Sequence, residues 1–349
     1  MSLVPFAHTA GPRDARIVIV GESWGEQEER LQLPFVGASG QELTRMLREA
    51  EIDRYSCLLT NVFPLRPPEN NIEALCGKKA EVGADYKLPP IRQGKYIRPE
   101  YLPHLERLAE EIRTCAPNLV IAFGNIAMWA LLRATGIGAL RGAVAESRLI
   151  PGVKVLPTYH PAAVLRNWAW RVIVVADLQK AKRESAQAAI LRPEREILIS
   201  PTLDEISSWL TRPAVLYACD IETFQGQIEM IGLARSPREA LVVPFVNKNA
   251  KLHEELNYWP DVESEAEARR LVNMALAGAV PKLFQNGLYD VQYLWREGFT
   301  LRNVREDTML LHHSMFPEMQ KGLGFMGSIY TEESSWKHLR KQDDTKRDA

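Results

Sequence analysis

Three apolar runs in the first half of the chain end in side chains that can do chemistry. RIVIV at Arg16–Val20 leads into Gly21 and Glu22, a glycine that permits close backbone approach beside a carboxylate that can orient water or stabilise positive charge. Gly25 follows, and Phe35 offers an aromatic face. Cys57–Val62 carries Asn61, whose amide both donates and accepts, and Val153–Pro157 leads to His160, held between Pro157 and Pro161. Taken singly, a Glu, an Asn or a His at a strand end is more often a cap or a solvated loop residue. Taken together, a carboxylate, an amide, an imidazole and an aromatic face at the ends of three strands change those odds. Neither GxGxxG nor GxxxxGK[ST] is present, so the Gly-rich turn lacks a nucleotide-binding signature.

A second constellation lies downstream. In LYACDIETF, Asp220 and Glu222 are two apart on a strand-like run and share a face; in FQNGLYDVQYLW, Asn286 and Asp290 are four apart on a helical pattern and also share one. Three converging carboxylates, Asp220, Glu222 and Asp290, suit two Mg²⁺ or Mn²⁺ ions about 4 Å apart, the arrangement that hydrolyses phosphodiesters. An isolated DxE also reads as a solvated strand end.

These residues require elements to position them. The first half alternates strand-like runs (Arg16–Val20, Cys57–Val62, Leu119–Phe123, Val153–Pro157) with helical patterns at Ser39–Glu49, Pro99–Cys115 and Ile126–Thr135, with Ser39 as the expected N-cap. This predicts a three-layer α/β/α domain with a central, mostly parallel sheet, whose ligands bind outside the carboxyl ends of the strands. Arg66–Arg98 is a long irregular connection, of the kind that is usually functional or mobile. A helix over Asp177–Ala189 leads to a boundary at Pro193, so the domains are placed at 1–190 and 196–349. The second half reads as strands at Ala214–Cys219, Glu229–Ala234 and Ala240–Pro244, a helix at Ser264–Leu276, a strand at Pro281–Gln285 and a helix at Tyr289–Glu297, a ribonuclease H-like α/β order.

Composition sets bounds. The 349 residues suit two cores, with 46% hydrophobic and 25% charged residues. The net charge of −1 conceals a split: residues 1–190 hold 24 Lys and Arg against 20 Asp and Glu, and the remainder 19 against 24. A mildly basic half beside an acidic one is compatible with phosphate contacts in the first and cation-binding carboxylates in the second. With no signal pattern and no apolar run near ~20 residues, no membrane association and a cytoplasmic location are expected. Cys57, Cys76, Cys115 and Cys219 include no CxxC pair and read as packing residues.

The segments PFVG at Pro34–Gly37, Asn61–Asn70 (NVFPLRPPEN), AFGNIA at Ala122–Ala127 and PTYHPAAVLR at Pro157–Arg166 resemble, in order and spacing, the thermophile-type branch of the uracil-DNA glycosylase superfamily, from about Arg16 to Lys182. The resemblance implies catalytic roles for Glu22, which activates or orients water, and His160, which steadies the departing base. It places Phe35 against the flipped base, Asn61 on the uracil edge, and Gly21 and Trp24 in the substrate site. The residue types suit that chemistry: a carboxylate stabilises an oxocarbenium-like transition state, and donors stabilise the anionic leaving base. After His160, Leu165 and Arg166 are expected to insert into and contact DNA, with Arg171 and, in the basic Tyr86–Arg98 stretch, Lys95 as further DNA contacts.

The sequence departs from that branch at two places. The amino-terminal cysteine pair of its iron-sulfur cluster is absent, so no cluster is expected, and Ser23 and Trp24 stand where the branch has Ala and Pro, so that Trp24 would reshape the pocket. The second half resembles the 3′→5′ exonuclease domain of family A DNA polymerases, with Asp307 in a supporting DTM segment. That family's last motif, YxxxD, is missing: Ser334 lies four residues after Tyr330. The resemblance implies a fusion like those of phage glycosylase-polymerases, with DNA as partner, a phage or bacterial setting, a downstream polymerase domain or partner chain, and weak exonuclease activity. Three functions remain open: excision of uracil or a related pyrimidine, non-catalytic sensing of uracil ahead of replication, and metal-dependent exonuclease action completed by a further carboxyl-terminal segment.

Overall fold

The computed structural model describes residues 3–83, 85–191, 194–248, 250, 256–331 and 333. The chain forms two compact units, one of residues 1–191 together with the segment from Gly324 onward, the other of residues 192–323. The helix Leu323–Tyr330, which the sequence places in the domain 196–349, packs with the first unit, where Ser328 Oγ accepts from Arg141 at 3.0 Å and the Thr331 carbonyl accepts from Lys180 at 2.7 Å. Pro193 and Ser334 lie outside the described residues.

The strands are β1 (Ile17–Ser23), β2 (Leu58–Phe63), β3 (Cys76–Gly77), β4 (Tyr96–Ile97), β5 (Leu119–Phe123), β6 (Ala145–Glu146), β7 (Lys154–Thr158), β8 (Glu196–Ile199), β9 (Tyr217–Phe224), β10 (Gln227–Ser236), β11 (Glu239–Pro244), β12 (Lys282–Phe284) and β13 (Val304–Asp307). In the first unit the sheet order is β2-β1-β5-β7-β6, parallel except for β6. Burial on both faces explains why its central strands read as unbroken apolar runs. Val18, Val20, Val120, Ala122 and Val155 pack with the helices Pro103–Cys115 and Gly124–Leu132. The helices Ala38–Glu49 and Arg171–Glu184 pack on one another, the latter also on β5 and β7, giving the α/β/α layering expected.

Ser39 is not the N-cap of Ala38–Glu49. Gly37 takes that position without a side-chain cap, and Glu28 on the preceding turn accepts from the Gly37 and Val36 amides at 2.7 and 3.0 Å. The connection over 66–98 is not featureless: it holds 3-10 turns at Pro68–Asn70 and Ile72–Leu75, the β3–β4 pair and a short helix at Lys79–Val82. The helix expected over Asp177–Ala189 runs from Arg171 to Glu184.

In the second unit the sheet order is β13-β12-β9-β10-β11-β8. The antiparallel meander β9-β10-β11 is extended by β12 parallel to β9 and β13 parallel to β12, which is the ribonuclease H-like order; β8 adds a parallel edge strand beside β11. β8 and the helix Leu203–Thr211 fall outside the expected elements. Asn286 does not share a helix with Asp290: the helix begins at Leu288, and Asn286 precedes it at φ 58°. Among the described residues, no helix is long and apolar enough to cross a membrane.

Candidate functional site

The carboxyl ends of β1, β2 and β7 bring Gly21, Phe35, Asn61 and His160 together, and Glu22, next along β1, feels the charge of Arg166 as His160 does. Gly21 pairs with Asn61 across β1 and β2, and a Cβ on Gly21 would lie 2.5 Å from Asn61 Nδ2 and 2.6 Å from Phe35 Cζ. A side chain at Gly21 is therefore excluded, which is the close approach that glycine permits. The Phe35 ring stacks toward His160 at 6.1 Å with planes 23° apart and stands edge-on to Phe123 at 6.3 Å. A Cβ on Gly124, at φ 85°, would come within 3.2 Å of His160 Cβ, so the chain turns tightly after β5 to meet the histidine.

His160 caps the helix Pro161–Arg166, its Nδ1 accepting from the Ala162 amide at 3.2 Å. An Nδ1 that accepts leaves the proton on Nε2, so the neutral ring presents a donor. Burial, with a smaller contribution from Arg166, pushes His160 down to about 4, and the imidazole is neutral at pH 7. Glu22 is shifted the other way: burial raises it to about 6, opposed by Arg166. Asn61 is buried, its Nδ2 donates to the Ser23 carbonyl at 3.4 Å, and its Oδ1 has no hydrogen-bond partner. A buried acceptor left without a donor costs about 1–3 kcal/mol, which a ligand N–H would relieve.

Several side chains that sequence reasoning passed over hold this site. Arg107 donates to the Asn61 and Val62 carbonyls at 2.6 and 3.1 Å and pairs with Glu111 at 2.6 Å, while Glu111 also accepts from Thr60. Arg54 donates to the Phe35 carbonyl at 2.9 Å. Arg107 and Glu111 stand four apart on a helix, a readable pairing, but nothing in the sequence ties them to β2.

The remaining expected residues differ in what their surroundings leave open. Leu165 is 46% exposed beside the exposed Arg166, and Trp168 is 61% exposed, an apolar and basic edge close to the pocket. Arg171 is committed elsewhere, to Glu42 at 2.8 Å and Glu49 at 2.6 Å with its guanidinium over Trp168, and Lys95 pairs with Glu73 at 3.4 Å. Trp24 is 1% exposed and stands edge-on to His8, and its buried Nε1 has no hydrogen-bond partner. Cys57 and Cys115 donate to the carbonyls of Asp53 and Ala15, Cys76 to that of Ile72, and burial raises all three thiols.

In the second unit, Asp290 is buried and accepts from the Ile221 amide at 3.0 Å, which sets it beside the strand bearing Asp220 and Glu222. Burial raises its pKa, with Asp307 and Glu222 adding to the effect. Asp307 accepts from the amides of Asn286, Gly287, Met309 and Leu310. Among the described residues, no group of three His, Cys, Asp or Glu side chains is arranged to hold a metal ion.

The model of the uracil DNA glycosylase superfamily matches residues 8–186. A type-4 uracil-DNA glycosylase of Thermotoga maritima is 33% identical over 181 residues, covering 49% of this chain and 79% of that protein. A DNA polymerase of Bacillus phage SP01 is 25% identical over 241 residues, 66% of this chain and 23% of the polymerase. The solved structure of Escherichia coli RNase D, an exoribonuclease involved in structured RNA processing, matches 42% of this chain and 35% of its own at 14% identity and a TM-score of 0.29, too slight a likeness to argue from.

Proposed function

The chain belongs to the uracil DNA glycosylase superfamily, and from that premise we propose that its first unit excises uracil, or a related pyrimidine, from DNA by hydrolysing the N-glycosidic bond. The observation that carries this reading is the meeting of a neutral His160 donor, an unpartnered Asn61 acceptor and the Phe35 ring at the carboxyl end of the sheet, where β1 also carries the ionisable Glu22.

In this reading the target nucleotide leaves the stack at a cost of about a few kcal/mol. Leu165 fills the gap and Arg166 meets the phosphate backbone. Phe35 stacks on the extruded base and Asn61 Oδ1 accepts the imide N–H, which a cytosine ring nitrogen cannot supply. As the bond breaks, the sugar becomes oxocarbenium-like and the base anionic. Glu22, ionised above about pH 6, stabilises the sugar and orients the attacking water. His160 donates from Nε2 to a carbonyl oxygen of the leaving base, and a donor placed in this way is worth a few kcal/mol in the transition state. No step in this reading calls on an iron-sulfur cluster.

The phage polymerase relative, whose similarity extends beyond the first unit, supports a replicative setting for the second. We infer that this unit is a polymerase-type exonuclease module that binds or guides DNA, in a bacterial or phage-infected cytoplasm, next to a polymerase domain or partner chain. Asp220, Glu222 and Asp290 are the carboxylates that would hold Mg²⁺ or Mn²⁺ there, and with the YxxxD motif missing, weak exonuclease activity is expected. The sensing alternative draws on Trp24, which stands where the branch has Pro.

The test is a 5′-labelled oligonucleotide with one uracil, incubated with the protein in EDTA and then treated with alkali. Cleavage at the uracil, lost in Glu22→Gln and His160→Ala with DNA binding retained, is expected. Tight binding to uracil-DNA without abasic product would establish sensing instead.

A further inference from the structure

We infer that Arg54 is a positioning residue, its guanidinium holding the Phe35 backbone in the conformation that aims the ring into the base pocket. The inference rests on reading that pocket as the base site.

Phe35 sits at φ 54°, in the left-handed region that a bulky residue with a Cβ rarely adopts. Such a residue persists where its surroundings over-determine it, and here they do. Arg54 Nη2 donates to the Phe35 carbonyl at 2.9 Å, and Nη1 reaches Thr44 Oγ1 at 3.3 Å and the Gly40 carbonyl at 3.5 Å. On the far side of the same loop, the Glu28 carboxylate accepts from the next two amides, Val36 and Gly37. The loop is gripped on its carbonyl by a cation and on its following amides by an anion. Gly40 makes room for this path: a Cβ there would lie 1.9 Å from the Phe35 carbonyl oxygen. The result of the turn is a ring whose tip meets Gly21 and whose face lies toward His160.

Arg54 begins the 3-10 turn Arg54–Ser56, capped by Asp53, immediately before β2. The strand that delivers Asn61 therefore also delivers the guanidinium that fixes Phe35. The stacking face and the edge-reading amide are set in register by one short segment. A planar fork with several donors can bridge three acceptors at once; a lysine can only partly replace it.

The experiment uses the full chain labelled with 4-fluorophenylalanine, the Phe35 resonance being assigned by its loss in Phe35→Leu. Arg54→Met keeps bulk and removes every donor, whereas Arg54→Lys keeps the charge. In Arg54→Met the Phe35 line is expected to shift or split, and the concentration of free uracil that halves excision to rise about tenfold. The acid limb of activity set by Glu22 and the affinity for uracil-free duplex are expected to stay unchanged, and Arg54→Lys to recover part of both losses. An unchanged Phe35 line and unchanged uracil inhibition in Arg54→Met would overturn the inference, as would losses that scale only with melting temperature across the two variants. Should Arg54→Met fail to fold, Arg54→Lys is read by the same criteria. A wild-type protein that neither excises nor binds uracil would instead overturn the functional reading, while the fluorine line would still report on the clamp.

Discussion

Replacing Glu22 by glutamine should make the first unit more stable and much less active, and the stability change should depend on pH in one direction. Burial raises the carboxyl from 4.5 to about 6, a difference equivalent to about 2 kcal/mol at 1.36 kcal/mol per pH unit. Because the folded value lies above the unfolded one, the folded state is not penalised below pH 4.5, where Glu22 is protonated in both states. The penalty grows as pH rises through 6, where the buried carboxylate is ionised. Glutamine never ionises, so Glu22→Gln should exceed wild type by about 2 kcal/mol at pH 8, a rise of roughly 4–8 °C in melting temperature for a unit of this size, and match it near pH 4. Excision from the uracil oligonucleotide should fall by about a hundredfold or more, since an ionised group is lost from the transition state. Thermal unfolding at several pH values, alongside single-turnover excision, measures both. A stability difference constant from pH 4 to 8, or a variant less stable at pH 8, would refute the burial argument; full excision would refute the catalytic assignment.

Two further outcomes follow from the same charges. Arg166→Gln removes the cation that opposes the rise of Glu22 and adds to the fall of His160, so the acid limb of excision should move to higher pH by up to about one unit, read from the pH dependence of kcat/KM. His104, buried against Phe63 and lowered to about 4 by burial and by Arg107, stays neutral while its unfolded counterpart protonates near 6.5; stability should fall between pH 6.5 and 4 by about 1.4 kcal/mol per pH unit for this group, and His104→Gln should flatten that part of the curve in acid denaturation.

The strand tips were legible because parallel strands buried on both faces read as unbroken apolar runs, and the residues that end them stand out against that background. The second unit's meander was legible for a related reason, since Asp220 and Glu222 mark its first strand. Edge elements were not. Glu196–Ile199 carries its isoleucines half out in solvent, 49% and 70% exposed, beside a Pro and charges that read as linker. The helix Leu203–Thr211 did carry a signal, the reciprocal cap between Thr202 and Glu205. The residues that hold the site left none. Arg54 meets its carbonyl 19 residues back in the chain, and Arg107 meets its own 46 residues back. Their partners are main-chain oxygens, which every residue possesses, so no spacing or residue type announces the contact.

Burial explains why the pocket uses this particular pair of ionisable groups. In solution a glutamate at 4.5 gives up its proton before a histidine at 6.5, and between those values the two form an ion pair. In the fold the order is reversed, with His160 at about 4 and Glu22 at about 6. The same loss of water disfavours both charges, raising the acid and lowering the base. On acidification Glu22 is therefore neutralised while His160 is still neutral, and the histidine does not become a cation that would compete for the carboxylate. On the proposed function, the carboxylate's charge is then available to the positive sugar at neutral pH, and the Nε2–H is an uncharged donor for the leaving base. Divergent shifts of this kind mark acid and base roles within one site. They also assign the loss of activity on acidification to the carboxylate, with a midpoint near 6, well above the pH at which the histidine itself takes up a proton.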